Sequence, residues 1–305
     1  MTSYVEQALL SAQCVEGSET VCVCCGGRYP GTGRQCTRCR APLALSHTTR
    51  AAGRRPKFVS VMGGPNAGKT VYLGMLMDML SKGVLGMNGI AKGSHSVEVQ
   101  NRTISALEQH RFPEKTASEA DEWQWVHCEL IRKGRRKMPL DLVTADFAGE
   151  AIALELEHSG TFPSIQAVVS QSVGVLLLCD AFSVSRDPLN EDISALKLVS
   201  YIHGVKKAKS TRRNDRRSDV PLAIVFTKCD RCPEVQEAPQ QFAANHMPRL
   251  TQYCERAFSH VCLFAARVVA NSATRLDEYG RCSEIALHVE PHGIAEPLDW
   301  ILKSC

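Results

Sequence analysis

The chain has 305 residues, 44% of them hydrophobic, and 36 Lys+Arg against 32 Asp+Glu for a formal charge of +4. That apolar share supports a full core and excludes a disordered chain, while so small a charge excess names no partner. No run approaches the ~18 apolar residues that span a bilayer. The opening MTSYVEQALLSAQ lacks a basic start and a long apolar stretch, so no secretion signal is expected. The 14 cysteines, several in strand-like runs (Cys128, Cys179, Cys262), read as reduced thiols of a cytoplasmic protein.

Five cysteines fall between Cys22 and Cys39. Cys22-x2-Cys25 and Cys36-x2-Cys39 each suit a tight turn that aims two thiolates at one metal, and two such turns complete a tetrahedral site. The stretch resembles a zinc ribbon. Four thiolates leave no open position, so Zn2+ here is expected to be structural and to supply folding energy that so small a module lacks. Cys24 is an extra thiol, poorly offset for chelation. The polar, basic SHTTRAAGRRPK has no hydrophobic period and reads as a linker. The expected division is 1–45 for the N-terminal segment and ribbon, 46–57 for the linker and 58–305 for the main domain.

From Phe58 strands and helices alternate. KFVSVMG reads as a buried strand. It runs into Gly63-Gly64-Pro65-Asn66-Ala67-Gly68-Lys69-Thr70, which fits the G-x-x-x-x-G-K-[ST] phosphate loop. Glycines let the backbone curl so that successive N–H groups face phosphate oxygens. The helix that follows adds its positive end, and its Leu73, Leu76, Met77 and Leu80 share one face. Lys69 can reach the β- and γ-phosphates, and the Thr70 hydroxyl can ligate Mg2+. Residues 84–122 are polar and weakly patterned, and such a segment is usually functional or mobile. WQWVHCELI and PLDLVTAD read as strands flanking the basic turn RKGRRK. GVLLLCDAF and PLAIVFTKCD are apolar runs ending in polar residues, with NEDISALKLVSYIHGV and then QQFAANHMPRLTQYCERAF helical. VCLFAARVVANSA reads as one late strand and EPLDWILK as a closing helix. The fold class is therefore α/β, a P-loop NTPase with a mostly parallel sheet and helices on both faces, plus the small N-terminal ribbon. Ligands in such folds sit at the C-terminal ends of strands.

Three further stretches fall at strand ends in a telling order: DFAGE (Asp146 to Glu150), TKCD (Thr227 to Asp230) and NSAT (Asn271 to Thr274). With the phosphate loop they resemble the Ras-like and translation-factor (TRAFAC) class of P-loop GTPases, over residues 58 to about 275. The resemblance implies GTP or GDP as ligand and Mg2+ as cofactor. It implies that Asp146 holds Mg2+ through water and that the Gly149 N–H meets the γ-phosphate. Asp230 would accept two hydrogen bonds from guanine, the Lys228 stem would lie along the base, and the Ser272-Ala273 backbone would approach the guanine carbonyl oxygen. Thr227 stands where many members have Asn, which puts a base or loop-bracing contact in doubt. Glu150 stands where Ras-like members have Gln. It can position water, act as a base or swing away as a surface carboxylate. Thr116 in FPEKT, beside Lys115, is the candidate first-switch ligand of Mg2+ and γ-phosphate, with Thr103 and Ser118 as competitors. Arg111 lies near, and no arginine is assigned as a finger.

The ribbon, the long switch segment, FPEKT and DFAGE together also resemble the bacterial double-GTPase family of conflict and signalling systems. That implies a slow GTPase switch whose GTP-ordered surface is read by an effector or regulatory protein. The rival is a non-hydrolysing GTP- or GDP-binding adaptor that recognises its partner through the ribbon. The clusters RKGRRK and KKAKSTRRNDRR are either solvated turns or a footprint for nucleic acid or an anionic surface.

Overall fold

The computed structural model describes residues 19–30, 33–114, 123–133, 139–209, 217–276 and 282–305. Strands β1 (Glu19–Val21) and β2 (Arg28–Pro30) form an antiparallel pair, followed by helix α1 (Leu43–Ala51). Residues 46–51, expected in a linker, thus belong to a helix. Its buried residues are Leu43, Leu45, Ser46 and Thr49, and the two small polar ones hide the apolar period from the sequence. Ser46 Oγ accepts the Val23 N–H at 3.1 Å, tying the helix to the ribbon.

Seven strands make the central sheet, in the order β4-β5-β6-β3-β7-β8-β9. These are β3 (Lys57–Met62), β4 (Met87–Lys92), β5 (Gln124–Arg132), β6 (Leu140–Asp146), β7 (Ser172–Asp180), β8 (Leu222–Thr227) and β9 (Val261–Ala265). Pairings from β6 through β9 are parallel, while β5 runs antiparallel to both neighbours. Alternation along the strands divides the core between two faces. Val175, Leu177 and Cys179 point to one, and Leu176 and Leu178 to the other.

The first face carries α4 (Gly149–Glu157), α5 (Pro163–Gln171), the short α6 (Ala181–Arg186), α7 (Pro188–Lys209), α8 (Pro233–Glu237), α9 (Pro239–His246) and α10 (Pro248–Ala257). The same buried cluster contains Cys22, Cys24, Tyr29, Leu43 and Leu45, so the ribbon shares a core with the sheet. The second face carries α2 (Lys69–Lys82), α3 (Ser94–Glu108) and α11 (Glu296–Ser304). The weakly patterned region therefore holds a strand and a helix. β4 is an edge strand that exposes alternate residues, and α3 buries a narrow stripe of Ser96, Val99, Thr103 and Leu107. α3 crosses α2 so closely that a Cβ on Gly74 would lie 2.0 Å from Thr103 Oγ1.

The late apolar run is not one strand. β9 stops at Ala265, Ala266 makes a corner, and β10 (Arg267–Leu276) pairs with β11 (Cys282–His292) as a separate antiparallel hairpin. Gly293 explains the departure. It sits at φ 68°, and a Cβ there would fall 1.9 Å from the Ala265 carbonyl oxygen. The returning chain crosses against the end of β9, so the hairpin leaves the sheet and folds over the strand ends.

Candidate functional site

The C-terminal ends of β3, β6, β7 and β8 converge on one cavity of about 660 Å3. Its floor is the phosphate loop. Asn66 (φ 62°) and Gly68 (φ 77°) adopt left-handed backbone, which curls the chain into a cradle, and α2 starts at Lys69. Asn66, Gly68, Lys69 and Thr70 line the cavity. Gly63, Pro65 and Ala67 support the cradle from behind. A Cβ on Gly63 would lie 2.6 Å from the Leu178 carbonyl oxygen, and one on Gly149 would lie 2.5 Å from Pro65.

Lys69 is buried, and its ammonium donates to the carbonyls of Gly63 and Gly64 at 3.1 Å each. Burial pushes its pKa down, against the opposing pull of Asp146 and Glu150, and an anion beside it would add to that opposing pull. Beside it the Thr70 hydroxyl donates to Asp146 Oδ2 at 2.7 Å. A hydroxyl and a buried carboxylate in contact at a phosphate cradle are the hard oxygen donors that Mg2+ takes. Phe147 in DFAGE packs edge-on against Trp123, with ring centroids 4.9 Å apart. Gly149 opens α4, and Glu150 is exposed at the cavity wall.

At the other end Thr227, Lys228, Asp230 and Ser272 line the cavity. Thr227 does what its place in the motif left in doubt. Its buried hydroxyl lies 3.0 Å from the Ala67 carbonyl and 3.3 Å from that of Cys179, bracing the cradle to β7. Lys228 is left-handed at φ 57° and donates to Asp180 Oδ2 at 2.7 Å. Asp230 sits in a single 3-10 turn, Cys229–Arg231. Ser272 Oγ donates to Asp230 Oδ2 at 3.1 Å. The expectation that NSAT ends a sheet strand is corrected: Ser272 and Ala273 lie within β10, opposite Ala286 and Ile285. Ser272 meets Asp230 through its side chain, and Ala273 is absent from the described lining.

Thr116 and Lys115, with Ser118, lie outside the described residues. Thr103, a competitor for the first-switch role, is buried against Gly74 and is not among the described lining residues of the cavity. Arg111, Phe112, Pro113 and Glu114 reach the cavity wall. Sequence reading missed Asp180, Phe182, and the corner from Ala266 to Val269, all lining residues. Asp180 was legible as the polar residue ending GVLLLCD; the corner was hidden inside one continuous apolar run.

The four predicted cysteines come together. Sγ atoms of Cys22, Cys25, Cys36 and Cys39 all lie within 4.8 Å of one another. The two turns match: Gly26 N–H donates to Cys22 O and Arg40 N–H to Cys36 O, at 2.9 and 2.8 Å, with Gly26 and Arg40 both left-handed. Burial pushes the Cys25 thiol up to about 11. A dication reverses that by favouring thiolate, and the donor set fits tetrahedral zinc. Cys24 is fully buried as an apolar filler.

Most of both basic clusters lies outside the described residues. Of the described members, Lys133, Lys207, Lys209 and Arg217 are exposed, while two others cap helices. Lys206 is buried and donates to the Ser170 and Ser172 carbonyls at the end of α5. Arg132 donates to Leu302 O in the last turn of α11 at 3.1 Å. Cations at helix C-termini are favourable there. Among the described residues no helix is long and apolar enough to cross a membrane.

The model of the family described as Double-GTPase 2 matches residues 57–285. No curated protein sequence matches the chain. Among solved structures, the Ski7 GTPase-like domain of S. cerevisiae bound to GDP and inorganic phosphate is 13% identical. That match covers 84% of this chain and 51% of the other, with a TM-score of 0.42. The SRb-GTP/SRX complex of Chaetomium thermophilum is 11% identical over 71% of this chain and 92% of the other, with a TM-score of 0.38.

Proposed function

The chain belongs to the Double-GTPase 2 family, and on that premise we propose that it is a Mg2+-dependent GTP-binding and GTP-hydrolysing switch with a structural zinc ribbon. The reading rests on one observation: a single cavity is lined by Lys69 and Thr70 at one end, with Asp146 held behind Thr70, and by Asp230 at the other. Its two ends carry the complementary chemistry of a guanine nucleotide, cationic and oxygen-rich for phosphate and metal, acidic for the base.

Lys69 exchanges the Gly63 and Gly64 carbonyls for phosphate oxygens, gaining a charged partner for a buried ammonium. Thr70 and Asp146 would hold Mg2+, the latter through water, and the ion would supply charge neutralisation at the phosphates. The Gly149 N–H, at the start of α4, would meet the γ-phosphate, and Thr116 would supply the remaining switch contact. Asp230 takes the two donors on the guanine edge, a pair that adenine lacks. Glu150 stands exposed beside Gly149, free to orient water. Hydrolysis without a partner's arginine is slow, on the order of 10⁻⁴ per second. An effector reads the surface near Thr116 and Asp146–Glu150 in the GTP state and is released on hydrolysis. Single-turnover hydrolysis of GTP, compared with Lys69→Ala, tests the enzyme. Equal rates favour the non-hydrolysing adaptor. Binding competition tests the base: GTP should win over ATP, and Asp230→Asn should abolish the preference.

A further inference from the structure

Asp180 ends β7, lines the cavity and is 7% exposed. Its two carboxylate oxygens have separate tasks. Oδ1 accepts the Phe182 and Ser183 N–H groups at 3.0 and 3.2 Å and so caps α6. Oδ2 receives the Lys228 ammonium at 2.7 Å. Asp180 and Thr227 are register partners on adjacent strands, so Lys228, the next residue, reaches back across the strand pair. Its side chain is thereby fixed at both ends, by a left-handed backbone at φ 57° and by the ion pair. Lys228 and Asp230 both line the cavity. An ammonium already neutralised presents its stem rather than its charge. A second contact ties the same two elements: the Arg231 guanidinium lies 3.7 Å above the Phe182 ring.

We propose that Asp180 is a positioning residue for base recognition, tethering Lys228 so that its stem forms a fixed apolar ledge under a planar purine. The proposal rests on the nucleotide reading of the cavity. It assigns purine support to the Asp180–Lys228 pair and leaves the choice between purines to Asp230.

The test is calorimetric binding of GDP, ADP and inorganic pyrophosphate to the full chain. Asp180→Asn keeps a cap acceptor, since Asn caps about as well as Asp, but it removes the ion pair. It should weaken GDP about tenfold and leave pyrophosphate within twofold. Lys228→Met removes the tether without touching the cap, so it should give the same loss. The double variant should lose no more than either single one. Equal weakening of GDP and pyrophosphate overturns the proposal, because a general disturbance of the site would do that. Unchanged GDP binding in both single variants also overturns it. If the wild type fails to prefer GDP over ADP, the guanine reading falls. The tether is then judged by the same comparison on whichever purine nucleotide binds, since the ledge supports either base.

Discussion

Replacing Gly149 with alanine would test how tightly the DFAGE segment is fitted to the phosphate cradle. The added Cβ would sit 2.5 Å from both Cα and N of Pro65 and 2.7 Å from the carbonyl carbon of Gly64. Carbon atoms settle at about 3.5–4.0 Å, so the two segments must part by roughly 1 Å. All three obstructing atoms are backbone, and the cradle is held from behind by Gly63 against Leu178 and by Thr227 on Ala67. Overpacking of this kind costs about 1–3 kcal/mol. If the cradle yields, the cost appears as nucleotide affinity lowered by about tenfold to a hundredfold. If α4 yields, it appears in the urea midpoint instead. Equilibrium binding of a fluorescent GDP analogue and urea denaturation, run on the same preparation, read both routes. Affinity within twofold of wild type together with an unchanged midpoint would refute the close approach.

Thr227→Val keeps the side chain's shape and removes its hydroxyl. Leaving the Ala67 carbonyl without that donor should cost about 1–3 kcal/mol in urea denaturation, and Thr227→Asn, which restores a donor, should cost less. The purified protein should carry one zinc per chain by elemental analysis, and Cys36→Ser should lose it together with protease resistance of the ribbon and α1. Lys206 supplies a pH test. Burial lowers its pKa to about 7 from the ordinary lysine value, so above that pH the unfolded chain binds a proton that the folded one does not. Stability therefore rises with pH from about 7 to the unfolded lysine range. The neutral amine still donates to both carbonyls, and Lys206→Met should flatten this rise in denaturation midpoints measured from pH 7 to 9.5.

The parts legible from sequence were those where the local pattern and the chemistry coincide. KFVSVM followed by the glycine motif is buried on both faces and bound to its loop by geometry that few residues satisfy. The paired cysteines announced their turns by spacing alone. Where burial used small or polar side chains, the signal failed. Ser46 and Thr49 concealed α1, and Ser96 and Thr103 concealed the buried stripe of α3. The hairpin of β10 and β11 was unreadable for another reason. VCLFAARVVANSA is apolar through Ala266 and mostly apolar after it, and what divides it at Ala266 is a long-range crossing by Gly293. Asp230 was chosen from its motif, but its Ser272 partner arrives from a strand 42 residues away.

Arg54 lies three residues before the matched family segment begins, yet its guanidinium serves the sheet. It donates to Glu129 Oε2 at 2.8 Å and to the Pro139 carbonyl at 2.8 Å, and pairs with Asp141 Oδ2 at 3.2 Å. Asp141 in turn meets the buried His127 at 2.8 Å. The hydrogen bond from Arg54 is the main reason the Glu129 carboxyl stays below its usual range, with Lys92 assisting. A chain trimmed to the family boundary would keep every nucleotide-facing group described above while stranding a nearly inaccessible aspartate without its cation. Truncation studies that aim to isolate the family segment should therefore start upstream of Arg54, because the charge balance of β5 and β6 is completed by a residue of the chain between the ribbon and the sheet.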